Sequence, residues 1–129
     1  MSIAFMADMH LGCQQYGIKE RTEDFYKAVD AAFDTIIAND SIKAVIIGGD
    51  AFDMAKPPAE AVKRLQACVS KAIAVGKSVY GIDGNHDMSE GKWLSVCGVI
   101  PLTTVPTEIC GLRVVGIPSC RTPVFYSHI

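Results

Sequence analysis

The chain has 129 residues, enough for one domain with a core of its own. It is 50% hydrophobic and 20% charged, the apolar edge of what soluble domains show, which points to apolar surface that a partner or further chain would cover. The net charge of −2 carries no basic signature of nucleic-acid binding.

The opening "MSIAFMAD" is apolar for only a few residues and has no basic leader, so no signal peptide is expected. Ser2 to Ala7 reads as a strand covered on both faces. From Thr22 to about Ala38, Phe25, Val29, Ala32, Phe33, Ile36 and Ile37 recur at helical spacing, with Thr22 as the expected N-cap and an acidic first turn. Lys43 to Ile47 is the second strand. "KPP" leads into a second helix over Ala59 to Val75, whose stripe is Val62, Leu65, Val69, Ala72 and Ile73, with Gly76 at C′. Ser78 to Ile82 is the third strand, Ser89 to Val96 a candidate short helix, and Leu112 to Ile117 and Val124 to His128 further strands. No run reaches the length of a membrane span. The five cysteines, Cys13, Cys68, Cys97, Cys110 and Cys120, form no C-x-x-C pair and read as free thiols of a reducing, cytoplasmic compartment.

Strand and helix alternate, which implies right-handed crossovers and a parallel sheet with its ligand site beyond the carboxyl ends of the strands. Three polar clusters fall at those ends: "ADMH", "GGDAFD" and "GIDGNHD". Hard divalent cations need carboxylate oxygens, and histidine adds a ligand suited to Mn²⁺, Fe²⁺ or Zn²⁺. Asp8 and His10, two apart on extended backbone, would point to one side and chelate one ion. Asp50 can give one oxygen to each of two ions, and Asn85 offers a neutral carbonyl oxygen to the second. Glycines at 49 and 84 let the backbone approach metal or anionic substrate. Such a set describes a two-metal site for in-line displacement at phosphorus. His86 could donate a proton to the leaving oxygen or stabilise phosphoryl charge, with Asp53 holding its ring. Each cluster alone could be a capping turn or an acidic turn; the three together, each after a strand, point to a metal centre. Such a centre also alters the charge balance. Asp8, Asp50 and Asp53 account for three of the negative charges, and two divalent ions would bring the loaded chain to about +2, so net charge argues neither for DNA nor against it.

Asp8-Met9-His10, Gly49-Asp50-Ala51-Phe52-Asp53 and Gly84-Asn85-His86-Asp87 resemble the D-x-H, G-D-x-x-D and G-N-H-D/E motifs of the calcineurin-like metallophosphoesterases. Their surroundings, "ADMHLG", "GGDAFDMAKPPAEAV" and "VYGIDGNHD", resemble the SbcD-type DNA-repair exonucleases, which include the meiotic recombination nuclease and phage recombination subunits. The phosphoprotein phosphatases fit less well, because Met54-Ala55 stands where they carry Arg-Gly. The resemblance implies an α/β fold, the βαβαβ start of a metallophosphoesterase sandwich, ending before its second sheet is complete. It implies Asp8 and His10 on the first metal, Asp50 as the bridge, Asn85 on the second, His86 as the catalytic histidine and Asp53 as its partner. It also implies two divalent ions, Mn²⁺ first and Fe²⁺, Zn²⁺ or Mg²⁺ as alternatives. DNA would be the substrate and an SbcC-like SMC-type ATPase the partner, with room for a homodimer. The same metal motifs also serve metallophosphatases and cyclic-nucleotide phosphodiesterases.

The family pattern adds a later single histidine and then a G-H-x-H pair. The pair does not occur in the 129 residues. His128 is either the later histidine, a ligand of the second metal, or an ordinary histidine. The whole chain is expected to be the N-terminal portion of one nuclease domain, and by itself a catalytically incomplete one.

Overall fold

Four strands pair in chain order. In the computed structural model, which describes residues 1–13, 17–53, 56–82 and 93–117, β1 (Ser2–Met6), β2 (Ile42–Ile47), β3 (Ser78–Gly81) and β4 (Ile100–Pro101) form a parallel sheet ordered β1-β2-β3-β4. Between them lie α1 (Lys19–Ala38), α2 (Ala59–Ala74) and the short α3 (Trp93–Val96). An antiparallel hairpin, β5 (Thr107–Ile109) and β6 (Leu112–Val114), follows. The α/β class and the parallel sheet are those anticipated from the sequence.

Strand β2 is apolar from Ala44 to Ile47 because both sides of the sheet are covered there. Val45 and Ile47 point into a core shared with Val29, Phe33 and Ile36 of α1 and Leu65, Val69 and Ala72 of α2. Ala44 and Ile46 point the other way, to Leu102, Ile109 and Val114, so the hairpin lies on the face opposite the helices. Its two-residue loop is Cys110-Gly111, both at positive φ (49° and 82°), as a type I′ turn requires. The sequence reading missed β4 and β5. Strand β4 is two exposed residues ending in proline, and β5 is only three residues long.

Helix α1 begins three residues before the expected N-cap. Ile18 precedes it without a side-chain cap, and Thr22 sits inside the helix, its Oγ1 donating to the Cys13 carbonyl at 2.8 Å. Thr22 therefore ties α1 to the loop after β1. Gly76 does take the C′ place of α2, with φ 87° and its N–H on Ile73 O at 2.9 Å. Next to it, the buried Lys77 amine donates to Asn39 O (2.9 Å) and Ile42 O (2.6 Å), satisfying carbonyls in the turn from α1 into β2. Arg64 of α2 reaches across to α1: its Nη2 meets Asp30 Oδ2 at 3.0 Å and Glu23 Oε1 at 3.2 Å, and the guanidinium lies 5.0 Å from the Tyr26 ring centre. The candidate helix at Ser89 is seen only as α3, since residues 83–92 lie outside the described set, as does the expected strand Val124 to His128. The strand expected over Leu112 to Ile117 ends at Val114.

Candidate metal centre

Beyond β1 and β2 the chain runs in two loops that stay hydrogen-bonded to each other. Asp8 N–H donates to Gly49 O (3.1 Å), His10 N–H to Asp50 O (2.9 Å), Leu11 N–H to Ala51 O (2.9 Å) and Asp53 N–H to Leu11 O (3.0 Å). Leu11 and Phe52 form a parallel β-bridge, and both side chains are fully buried. Met9 and Ala51 are buried as well, so the apolar residues beside the polar ones anchor the loops while Asp8, His10, Asp50 and Asp53 remain accessible. Sequence reasoning singled out the polar residues and passed over these apolar ones. No local pattern marks their pairing: Leu11 directly follows "DMH" while Phe52 stands two residues after "GD", and only the register of the preceding strands brings them level.

The backbone at the polar residues differs from expectation. Asp8 (φ 56°), His10 (φ 47°) and Asp50 (φ 51°) are all left-handed, not extended, and Gly49, next to Asp50 in the second loop, has φ 118°. Asp and His tolerate this region better than most residues, yet it costs of order 1–3 kcal/mol for a side chain to be held there, and such residues gather where function demands them. Here three of the four non-glycine residues with positive φ among those described are the predicted ligands.

The geometry brings those three together. Asp8, His10 and Asp50 each offer one ligand atom, and the three atoms lie within 4.8 Å of one another. His10 Nε2 stands 4.0 Å from Asp8 Oδ1, and the other ring nitrogen, Nδ1, stands 3.3 Å from Asp53 Oδ1. The side chains of His10 and Asp53 are 30% and 32% exposed and that of Asp8 73%, so the cluster is shielded on the side of Asp53 and open towards solvent on the side of Asp8. Two carboxylates and an imidazole nitrogen within that span fit a divalent cation of the Mn²⁺, Fe²⁺ or Zn²⁺ kind. Asp53, expected beside His86, here faces His10. Asn85, His86 and His128 fall outside the described residues. No helix among the described residues is long and apolar enough to cross a membrane.

Comparison with known proteins supplies the family. The family model for calcineurin-like phosphoesterases matches residues 1–122. Among curated proteins, the chain is 30% identical over 136 aligned residues to the DNA double-strand break repair protein Mre11 of Methanosarcina acetivorans, an alignment covering 95% of this chain and 21% of that protein. It is 35% identical to the Mre11 of Thermoplasma acidophilum over 110 residues (85% of this chain, 27% of the relative). To that of Sulfolobus acidocaldarius it is 39% identical over 96 residues (71% and 24%). The chain thus spans roughly a fifth to a quarter of the length of these relatives.

Proposed function

Since the chain belongs to the calcineurin-like phosphoesterase family, we propose that it carries the first part of a metal-dependent DNA nuclease site, hydrolysing DNA phosphodiesters in break repair or recombination. The observation that carries this reading is the convergence of Asp8, His10 and Asp50 on left-handed backbone. The DNA substrate is supported by relatives named as DNA double-strand break repair proteins.

In this reading Asp8 and His10 would hold one divalent ion, Asn85 and His128 a second, and Asp50 would serve both. Mn²⁺ is the first choice. The ions, when bound, supply Lewis acidity at the phosphorus centre. The chain's own residues do the rest. His86 gives a proton to the leaving oxygen or stabilises charge on the phosphoryl group. Asp53 is the carboxylate assigned to keep that ring oriented. Gly49 leaves room for a phosphate to approach the main chain. An SMC-type ATPase of the SbcC kind is the proposed partner, a homodimer the proposed assembly, and a reducing cytoplasm the proposed setting.

The test is Mn²⁺-dependent cleavage of linear single- and double-stranded DNA, run on the longest open reading frame that contains these residues. The 129-residue chain by itself is expected to turn over bis(p-nitrophenyl) phosphate only weakly, since it holds no G-H-x-H pair. Asp50→Ala should abolish DNA cleavage while circular dichroism reports an unchanged fold. Cleavage that survives Asp50→Ala, or activity confined to phosphomonoesters or cyclic nucleotides, overturns the reading.

A further inference from the structure

We propose that Asp53 is a positioning residue for His10, and not for His86 alone. Its carboxylate, 3.3 Å from Nδ1, favours the proton on that nitrogen, sets the imidazole tautomer, and leaves the Nε2 lone pair on the side of Asp8. The inference rests on the proposed metal role of that cluster.

The two nitrogens of the His10 ring face different neighbours. Nδ1 is 3.3 Å from Asp53 Oδ1, and Nε2 is 4.0 Å from Asp8 Oδ1. A neutral imidazole has one donor and one acceptor nitrogen, and the partner of one decides the state of the other. With a carboxylate at Nδ1, that nitrogen keeps the proton and Nε2 is the acceptor. Nε2 is also the nitrogen nearer Asp8, one of the two carboxylates that share the candidate site. A carboxylate behind a ligating histidine both orients the ring and raises its basicity.

The main chain makes the pairing durable. Asp53 N–H donates to Leu11 O at 3.0 Å, and His10 N–H to Asp50 O at 2.9 Å, so the backbones on either side of the pair are bonded to each other. Phe52, next to Asp53, is fully buried against this same seam. The side chain of Asp53 therefore leaves a fixed point, and the His10 ring lies within its reach. A role through His86 alone would not require Asp53 to sit against a residue of the first motif.

The experiment compares the wild-type chain with Asp53→Ala, Asp53→Asn and His86→Ala. Mn²⁺ affinity is measured by calorimetry, and the His10 tautomer by side-chain ¹⁵N resonances in metal-free protein at a pH where the ring is neutral. Expected are an Nδ1–H tautomer in the wild type and its loss in Asp53→Ala. Mn²⁺ binding in Asp53→Ala should be weaker by roughly 10–100-fold. Asp53→Asn, which keeps an acceptor oxygen and nearly the same shape, should recover part of both, and His86→Ala should bind Mn²⁺ like the wild type. Wild-type Mn²⁺ affinity and an unchanged His10 tautomer in Asp53→Ala overturn the proposal. If the wild type takes up no Mn²⁺ while Asp53→Ala still shifts the His10 tautomer, the pairing stands and the metal reading falls.

Discussion

Leu11 and Phe52 pair across the two site loops in the register of the strands that precede them. Ile3 is opposite Ala44, Met6 opposite Ile47 and Leu11 opposite Phe52, each pair the same 41 positions apart. The loops are therefore equal in length and return to step after their polar turns, which holds Asp8 and His10 level with Asp50. Phe52→Ala should lower stability by about 3–5 kcal/mol, read as a shift in the urea midpoint. In the folded fraction it should also weaken Mn²⁺ uptake, whereas Leu65→Ala, a comparable cut in α2, should lower stability and leave Mn²⁺ affinity near wild type.

Asp50→Asn separates charge from backbone. Asparagine tolerates left-handed φ at least as well as aspartate, so the loop should keep its path. The substitution removes one carboxylate charge from the cluster with Asp8. Metal-free protein should melt at the wild-type temperature or slightly above it, and Mn²⁺ binding should weaken by about tenfold or more, because affinity follows ligand charge. Thermal scans in chelator and calorimetric titration check the two halves.

Two buried thiols make the fold sensitive to alkali. Burial first, and then the hydrogen bond from its Sγ to Asp30 Oδ1 at 3.2 Å, pushes Cys68 up to about 12 from the usual 9.0; burial pushes Cys97 up to about 11. Between about pH 9 and these values the folded chain holds protons that the unfolded chain has released, so the stabilisation is complete below pH 9 and is lost as pH rises through the window. Urea midpoints should fall from pH 8 to pH 10, less steeply in Cys68→Ala. A thiol reagent at pH 8 should label the half-buried Cys13 and Cys110 before Cys68 and Cys97.

Arg64 links the helices through Asp30, Glu23 and Tyr26, with Glu60 Oε1 3.7 Å from its Nη1. Each partly exposed contact is worth little, and Arg64→Ala should cost about 1–2 kcal/mol in total. The variant leaves three carboxylates without their shared cation, so part of the loss should return at high salt, where repulsion among them is screened. Denaturation at low and high ionic strength checks it.

The frame was legible because its signals are local. Apolar runs at β1, β2 and β3, helical stripes in α1 and α2, and Gly76 as a helix stop each lie within a few residues of chain. The gathering of Asp8, His10 and Asp50 was legible because they follow neighbouring strands of one parallel sheet. What escaped the sequence depends on neighbours distant in the chain. Thr22 looked like a cap, but its hydroxyl is taken by Cys13 O, and the helix begins earlier, after Ile18, without a side-chain cap. Strand β4 exists only because β3 offers it an edge. The contact of Asp53 with His10 follows from the seam at Leu11 and Phe52, which no local pattern encodes.

The left-handed backbone at Asp8, His10 and Asp50 has a thermodynamic corollary. Those conformations persist only while the paired strands impose them, so anything that loosens β1 from β2 lets the three residues relax and drift apart. With the proposed metal role, ion affinity would then gauge the integrity of the whole sheet. A substitution that parts β1 from β2, even one placed far from the loops, would register as a weaker grip on the ion, whereas one confined to the helix packing would lower the melting temperature alone.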